Sequence, residues 1–242
     1  MKALILNSGI GSRLGELTKE KPKCMTELVT GETIVSRQLK LLEKIGVAKT
    51  IITTGKFNRE LEHYCDSLKL NMDIKYIYNS RYMETNYIYS MYLARKELDD
   101  DIILLHGDLV FDEDVLKMVY EYPGTCMVVE ASKPLPEKDF KAVVNKEGVI
   151  EKVGVEFFDS ALTAQPLYKF EKSAWQLWQE KIVQFCNTDQ VTCYAENALN
   201  EVTKKIKLCA LDAQGRLCSE IDDLSDLKSV NQFLKNKDKE GN

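Results

Sequence analysis

The sequence predicts an α/β fold with a doubly wound, mostly parallel (Rossmann-like) sheet, followed by a C-terminal α+β region. Strand-like runs alternate with helical periodicity through the first half of the chain, as right-handed βαβ units require. The first run, Lys2–Asn7, is continuously apolar, which indicates a strand buried on both faces. After about residue 125 the alternation gives way to a hairpin pattern, Phe140–Val144 followed by Val149–Val155.

Each further element follows from its own local pattern. Apolar residues recur at helical spacing from Ile34 to Ile45, and Gly46 stands where a helix-ending glycine is common. The remaining first-half elements are, in order, strand Lys49–Thr54, helix Phe57–Leu68, strand Asp73–Tyr78, helix Asn86–Leu98 and strand Asp101–His106. The second half adds helices Glu171–Phe185 and Glu196–Thr203, strands Lys207–Leu211 and Leu217–Ile221, and a closing helix Leu224–Lys235.

Composition and charge exclude several classes of protein. The 242 residues carry 33 Lys+Arg against 38 Asp+Glu, a net charge of −5, which argues against a nucleic-acid binder. No apolar run approaches the ~20 residues of a membrane span, so we expect no membrane partner. The first residues do not read as a signal peptide, and the seven cysteines are scattered without a C-x-x-C pair. Reduced thiols and a cytoplasmic location are therefore expected.

A glycine-rich turn after the first strand is the most informative segment. Its residues are Asn7, Ser8, Gly9, Ile10, Gly11, Ser12 and Arg13, and Pro22-Lys23 follows. Glycines in such a turn let backbone N–H groups approach an anion, and an Arg fork with a Lys point charge suits phosphate oxygens. The spacing matches neither the Rossmann G-x-G-x-x-G nor the Walker pattern. It nevertheless offers what a triphosphate-binding loop needs.

Three carboxylates are candidate ligands for Mg²⁺. Asp108 ends a predicted strand, and Glu220 and Asp222 stand at i, i+2, which places both on one face of a strand. Mg²⁺ favours such hard oxygen ligands together with substrate phosphates. His106 is expected to pack in the core rather than to act as a base, and Asp223 to face away or cap the last helix.

The turn and the carboxylates together resemble the nucleotidyltransferases that activate phosphorylated sugars and alcohols, whose N-terminal pattern is L-x-x-G-x-G-x-R, a spacer, then P-K. The resemblance implies that the turn residues hold the nucleoside triphosphate, that Lys23 and Arg13 stabilise charge on its phosphates, and that the three carboxylates bind the metal. It also implies one nucleotidyltransferase domain at 1–236, followed by a polar tail or linker at 237–242. The parts of this domain are a nucleotide-binding part at about 1–125, an acceptor-binding or lid part at about 126–223, and a closing helix at 224–235.

Other segments resemble cytidylyltransferases that make CDP-choline. These are Tyr78–Arg81, Thr85–Leu93 and Tyr194–Asn197, but Ala195 and Glu196 stand where those enzymes carry Trp and Asp. A quaternary ammonium is best bound by an aromatic cage, whereas a primary ammonium needs hydrogen-bond acceptors. The loss of a Trp beside a retained carboxylate therefore favours a primary amine. The blocks that resemble phosphonate cytidylyltransferases are Asn7–Gly9, Pro22–Met25, Leu105–Phe111, Glu137–Val143 and Gly154–Phe158.

This resemblance implies an Mg²⁺-dependent cytidylyltransferase that condenses CTP with 2-aminoethylphosphonate, for the tailoring of lipids or glycans. A fused 2-aminoethylphosphonate transaminase domain, often present in that family, would begin at the polar tail. Asn86 and Ser90, one helical turn apart, are candidates for reading the pyrimidine or ribose. The candidate acceptor contacts are Lys133, Lys138 and Lys141 for the phosphonate or triphosphate, Asp139 and Glu196 for the amine, and Tyr194.

Several alternatives remain open at this point. The lysines at 133–141 fit a solvated charge run equally well, and among Tyr82, Tyr87, Tyr89 and Tyr92 only some can line a site. Phosphocholine or a sugar 1-phosphate could replace the phosphonate as acceptor. A non-catalytic domain that senses nucleotides is the alternative from another class.

Overall fold

A computed structural model describes residues 1–9 and 11–240. Its strands are β1 (Lys2–Asn7), β2 (Lys49–Thr54), β3 (Asp73–Tyr78), β4 (Ile102–His106), β5 (Leu109–Phe111), β6 (Thr125–Glu130), β7 (Lys141–Val144), β8 (Ile150–Gly154), β9 (Ala161–Phe170), β10 (Leu208–Asp212) and β11 (Cys218–Glu220). Its α-helices are α1 (Ile34–Lys44), α2 (Asn58–Ser67), α3 (Tyr87–Ala94), α4 (Glu113–Glu121), α5 (Lys172–Asn187), α6 (Ala195–Asn200) and α7 (Leu224–Glu240). None of these helices is long and apolar enough to cross a membrane.

The central sheet has the strand order β10-β6-β9-β4-β1-β2-β3 and is mostly parallel, which confirms the predicted fold class. Only β9 runs antiparallel to its neighbours along this path, and the β7–β8 hairpin is attached to it. The order reverses at β1, which lies between β2 and β4. In an open α/β sheet, ligands bind beyond the carboxyl ends of the strands at such a reversal.

Hydrophobic cores cover both faces of the sheet. Ala3 and Ile5 of β1 belong to one buried cluster, whereas Leu4 and Leu6 belong to the other. Successive side chains of a strand point to opposite faces, so a strand between two cores must be apolar at every position. This requirement explains the continuous apolar run from which β1 was predicted.

A two-stranded antiparallel ribbon of β5 and β11 brings two distant parts of the chain together. Glu220 pairs with Leu109, and the backbone N–H of Ile221 donates to the carbonyl of Asp108 at 3.0 Å. Helix α7 packs Val230 and Leu234 into a third buried cluster beneath this ribbon. It extends to Glu240 rather than ending at 235, so most of the predicted polar tail is helical; residues 241 and 242 lie outside the described part.

Strand β9 was not predicted, although it lies in the middle of the sheet. It contains Pro166, which cannot donate a ladder hydrogen bond, and a buried Lys169. The pairing register between β9 and β6 shifts between Met127 and Val129, at the level of the proline. Proline in a sheet interior is tolerated at such a bulge. Lys169 donates to the carbonyls of Tyr120 and Tyr122, so its charge is also satisfied.

Candidate active site

A cleft opens where β1 and β4 end. It consists of three cavities of about 550, 240 and 470 Å³ that share lining residues. Arg13 and Asp222 line all three cavities, Asp108 lines the first two, and Glu220 lines the first and the third. The topological reversal at β1 therefore coincides with a cleft that gathers predicted phosphate-binding and metal-binding residues.

The turn after β1 forms one wall of this cleft. Gly9 lines two of the cavities, and Gly11 has a left-handed backbone with φ +68°. A Cβ at position 11 would lie only 2.9 Å from the Cβ of Lys23, so the close approach of these two segments requires glycine. The side chain of Ser12, a predicted contact, lies outside what the structure describes.

Two predicted cations and two predicted carboxylates form an ion-pair network in the cleft. The Lys23 ammonium donates to Asp108 Oδ2 and to Asp222 Oδ1, both at 2.6 Å, and Arg13 Nη1 donates to Asp222 Oδ2 at 3.0 Å. Burial alone would lower the pKa of Lys23, but the two carboxylates hold it above its usual value. Burial likewise disfavours ionised Asp108, yet Lys23 and His106 keep its pKa below the usual value.

His106 and Glu220 form a second pair next to this network. His106 Nδ1 lies 3.0 Å from Glu220 Oε1. Burial would lower the pKa of His106, but the hydrogen bond and charge of Glu220 raise it instead. The pKa of Glu220 is raised by burial and by the charge of Asp108. His106 is buried as expected, but it also lines the cleft rather than only packing in the core.

A metal-sized cluster of donors results from these positions. One ligand atom each from His106, Asp108 and Glu220 can be chosen so that all three lie within 4.8 Å of one another. The metal ligands predicted from the sequence included Asp222 and did not include His106. The signal for His106 was its position two residues before Asp108 at the end of β4, which brings both residues to the same end of the sheet.

Ser8 and Ser90 act together, but only one of them lines the cleft. Their hydroxyl oxygens lie 2.7 Å apart, and Asn79 donates to Ser90 at 3.0 Å. Ser90 is fully buried, whereas Ser8 is a lining residue. Ser90 therefore orients Ser8, and it is not placed to read a base directly.

The two predicted asparagines have different settings. Asn86 lines the cleft and caps α3, where its side chain accepts from the backbone N–H of Tyr87 at 2.7 Å. Asn7 lines the smallest cavity, and its amide Nδ2 is buried without a partner among the described residues. A Cβ at position 107 would lie 2.1 Å from Asn7 Oδ1, so Gly107 makes room for this side chain.

An aromatic group also lines the cleft. The ring of Tyr194 lies 5.0 Å from that of Phe140 and 6.0 Å from that of Tyr87. Glu196 does not reach the cleft, because it is buried behind this group and accepts from the hydroxyls of Tyr87 and Tyr168. The predicted direct contact of Glu196 with an amine is thus absent in the described structure, and Glu196 positions Tyr87 instead.

The three lysines predicted to contact the acceptor lie in three different environments. Lys138 lines the cleft next to Asp139. Lys133 is exposed and is not a lining residue of the cleft. Lys141 is fully buried, and its ammonium donates to the carbonyls of Pro136 and Asp139 at 2.6 and 3.0 Å, so it holds the loop rather than facing the cleft.

Several lining residues were not singled out from the sequence. Among them are Met83, Glu84 and Thr192, which stand in loops before α3 and before α6. Loop residues of this kind have no periodicity to mark them. Of the four tyrosines at 82–92, the cleft is lined by Tyr82 and Tyr87.

Comparisons with known proteins agree with this geometry. A family model described as the MobA-like NTP transferase domain matches residues 3–193. CMP-5'-(3-aminopropyl)phosphonate synthase of Streptomyces rubellomurinus is 35% identical over 135 residues, which is 56% of this chain but 21% of that protein. Choline-phosphate cytidylyltransferase of Streptococcus pneumoniae is 25% identical over 246 residues, covering 98% of this chain and 99% of that protein.

Solved structures show the same fold. CTP:phosphocholine cytidylyltransferase from Streptococcus pneumoniae superposes with a TM-score of 0.78 at 20% identity, covering 96% of this chain and 98% of that chain. The inositol-1-phosphate CTP transferase from T. maritima gives 0.79 at 20% identity, with 97% and 94% covered. Because the family model spans most of the chain, including the glycine turn and Asp108, the protein belongs to the MobA-like NTP transferase domain family and is a nucleotidyltransferase.

Proposed function

We propose that the protein is an Mg²⁺-dependent cytidylyltransferase that condenses CTP with 2-aminoethylphosphonate to give CMP-2-aminoethylphosphonate and pyrophosphate. The observation that carries this proposal is the ion-pair network of Arg13, Lys23, Asp108 and Asp222 beside an aromatic and acidic pocket in one cleft. The named relatives support it, since one is a CMP-aminoalkylphosphonate synthase and another a choline-phosphate cytidylyltransferase.

The proposed reaction needs no general base. A phosphonate oxygen attacks the α-phosphorus of CTP, a new P–O bond forms, and the bond to the α–β bridging oxygen breaks with its electron pair leaving on pyrophosphate. The second pKa of a phosphomonoester is about 6, so an acceptor of this kind is already anionic near neutral pH. The protein's task is to hold the two anions in line and to offset the charge that develops.

Arg13 and Lys23 are the cations that can do this. Each is held by carboxylates at 2.6 to 3.0 Å, so triphosphate binding exchanges one set of oxygen partners for another. This exchange favours the triphosphate, because its three negatively charged phosphoryl groups offer more hydrogen-bond acceptors than two carboxylates. Lys23 contacts Asp108 at the end of β4, and it is the proposed contact of the α-phosphate and the acceptor.

Asp108, Glu220 and Asp222 are the proposed ligands of the divalent ion. The fit is supported by the Lys23 ammonium, which already lies as a cation between Asp108 and Asp222. It is also supported by Asp108 Oδ1, which is buried and has no hydrogen-bond partner within the described part of the chain. When bound, the ion would screen the phosphates of both substrates.

Asp139 is the proposed partner of the acceptor's ammonium. It lines the cleft beside Phe140 and Lys138. Burial raises the pKa of Asp139, and the nearby charges of Asp222 and Asp226 raise it further. A carboxylate that stands near other carboxylates gains from a cationic partner, which a primary ammonium supplies with three N–H donors.

Phosphocholine is the second candidate acceptor, and the aromatic group favours it. Tyr87, Phe140 and Tyr194 line the cleft together, and aromatic rings are the groups that best bind a quaternary ammonium. The two acceptors differ in what they need from Asp139, because trimethylammonium has no N–H group to donate. The substitution of Asp139 therefore separates the two candidates.

The test measures pyrophosphate release from CTP and Mg²⁺ with matched acceptors. The panel contains 2-aminoethylphosphonate, phosphoethanolamine, phosphocholine and glucose 1-phosphate, each repeated with UTP and ATP. We expect the highest kcat/KM with CTP and 2-aminoethylphosphonate. Equal or better turnover of phosphocholine would contradict the primary-amine assignment, and preference for a sugar 1-phosphate would contradict the acceptor class. CTP binding without turnover of any acceptor would instead indicate a nucleotide-sensing domain.

A further inference from the structure

The divalent-ion site contains a nitrogen donor that an all-oxygen site for Mg²⁺ does not need. We propose that His106 ligates the divalent ion together with Asp108 and Glu220, and that this donor set makes the site select Mn²⁺ over Mg²⁺. The inference rests on the proposed metal-dependent function and changes the identity of one ligand and of the preferred ion. Asp222 remains with Lys23 and Arg13 on the nucleotide side.

Two buried atoms point to a ligand at this position. His106 Nε2 and Asp108 Oδ1 are both buried and have no hydrogen-bond partner among residues 1–9 and 11–240. His106 is only 9% exposed and lines the cleft. Buried polar atoms in native proteins are almost always paired, and an unpaired one calls for an ion or a water.

The two oxygens of Asp108 have separate surroundings. Oδ2 accepts from the Lys23 ammonium, which also binds Asp222, whereas Oδ1 is the unpaired atom. Asp108 can therefore hold Lys23 with one oxygen and offer the other to an ion. This division explains why the compact donor cluster consists of His106, Asp108 and Glu220 and does not include Asp222.

The backbone holds the three donors in place before any ion binds. His106 and Asp108 flank Gly107 at the end of β4, and Gln38 donates to the carbonyls of His106 and Leu109 at 2.9 and 2.7 Å. Glu220 is fixed opposite Leu109 by the pairing of β5 with β11. A preorganised cluster of this kind loses little conformational freedom when it binds an ion.

The distances allow coordination after a small closure. The three donor atoms lie within 4.8 Å of one another, whereas donors about 2.1 Å from a common octahedral ion are ~3.0 Å apart in cis and ~4.2 Å apart in trans. His106 Nδ1 is held by Glu220 Oε1 at 3.0 Å, so Nε2 is the ring nitrogen left to bind the ion. Glu220 would share the ion or orient the ring, as carboxylates do beside metal-bound histidines.

The donor types determine the preference for an ion. Mg²⁺ prefers six oxygens and retains several waters, whereas an imidazole with two carboxylates suits Mn²⁺ and the later divalent ions. We expect Mn²⁺ to bind at least about tenfold more tightly than Mg²⁺, following the general order of affinity for nitrogen-containing sites. The substitution His106→Gln removes the nitrogen donor and should remove most of this difference.

The chain offers a clean spectroscopic test, because its only other histidine, His63, is exposed on α2. Mn²⁺ is added to the full chain with CTP, and electron spin-echo modulation from ¹⁴N is recorded together with the amount of free Mn²⁺. We expect ¹⁴N modulation in the wild type and in His63→Gln, and its loss in His106→Gln with at least about tenfold weaker Mn²⁺ binding. Competition with Mg²⁺ should show less than about threefold weaker Mg²⁺ binding in His106→Gln.

The outcomes separate this inference from the proposed function. Absence of ¹⁴N modulation in the wild type, or its persistence in a folded His106→Gln variant, would overturn the ligand assignment while turnover of CTP still supports the function. Thermal melting of His106→Gln and of a second variant, His106→Asn, verifies that both are folded. If no acceptor is turned over with any ion, the proposed function fails, while the spin-echo signal still decides whether His106 is a ligand.

Discussion

Replacing Lys23 by Met is the most informative single perturbation, because this ammonium contacts two carboxylates of the cleft. Its side chain is 12% exposed and lies 2.6 Å from both Asp108 and Asp222. Breaking a fully buried ion pair costs about 3–5 kcal/mol and an exposed one less than about 1 kcal/mol. Since Asp222 is 36% exposed, we expect a loss of about 2 kcal/mol in the free energy of unfolding.

The same change predicts a defined thermal and kinetic result. For a chain of this length, about 2 kcal/mol corresponds to a melting temperature lower by about 4–8 °C. Added Mg²⁺ should restore more of this loss in Lys23→Met than it adds to the wild type, because the ion no longer competes with an ammonium. Removal of a group that stabilises charge in the transition state should lower kcat by about 100-fold or more.

Differential scanning fluorimetry with and without Mg²⁺, and pyrophosphate release, measure both effects. Lys19→Met is the matched control, because Lys19 stands in the same segment, is 66% exposed and pairs only with Glu16 at 3.5 Å among the described residues. The control should keep wild-type melting and turnover. If Lys23→Met retains kcat within threefold of the wild type, Lys23 does not act at the phosphates. An unchanged melting temperature would show that the ion pairs of Lys23 do not stabilise the fold.

Four further perturbations test other parts of the cleft. Gly11→Ala places a methyl group 2.9 Å from Lys23 Cβ and should lower kcat/KM for CTP about tenfold with a stability loss near 1 kcal/mol; unchanged kinetics would contradict the close approach. Asp139→Asn should raise KM for 2-aminoethylphosphonate at least about tenfold and leave KM for CTP unchanged, and an unaffected acceptor KM would exclude the amine contact. Lys141→Met should cost about 2 kcal/mol in urea unfolding, whereas Lys133→Ala should stay within about 0.5 kcal/mol; equal effects would contradict their different settings. EDTA should abolish turnover and Mg²⁺ should restore it, and activity that persists in EDTA would contradict a metal requirement.

The elements up to β4 could be predicted because their signals are local, whereas β5, α4 and β6 were not predicted. A strand between two cores must be apolar throughout, so the apolar run at Lys2–Asn7 is sufficient to predict β1. The glycine at position 11 is also marked locally, since its backbone is left-handed with φ +68°. Patterns of this kind survive in the sequence because one element alone imposes them.

Strand β9 could not be predicted, because what makes it a strand comes from its neighbours. Pro166 argues against a central strand unless the adjoining strand β6 shifts its register, which the sequence of β9 cannot reveal. Lys169 argues against burial unless two carbonyls, from Tyr120 and Tyr122, stand in reach. The two carbonyls lie 49 and 47 residues before Lys169 in the chain.

The convergence of charges in the site could be predicted, whereas the roles of individual charges could not. Asp108, Glu220 and Asp222 meet as expected because strand ends and a ribbon bring them together. Glu196 and Lys141 carry the same kinds of charge, but each is buried and satisfied by the protein itself, through tyrosine hydroxyls and backbone carbonyls. A sequence records the charge of a side chain but not whether its partner is a substrate or another part of the chain.

The net charge of −5 is compatible with two anionic substrates because the cleft exchanges partners rather than offering free positive charge. Arg13 and Lys23 are both paired with carboxylates in the described structure, so the phosphates of a nucleotide would compete with those carboxylates for them. A displaced carboxylate left without a cation would be costly in a partly buried site. A divalent ion on the unpaired oxygen of Asp108 would offset this cost, because it adds positive charge beside the carboxylates while the phosphates engage Arg13 and Lys23. Metal and nucleotide should therefore bind cooperatively, since each offsets charge that the other leaves unbalanced.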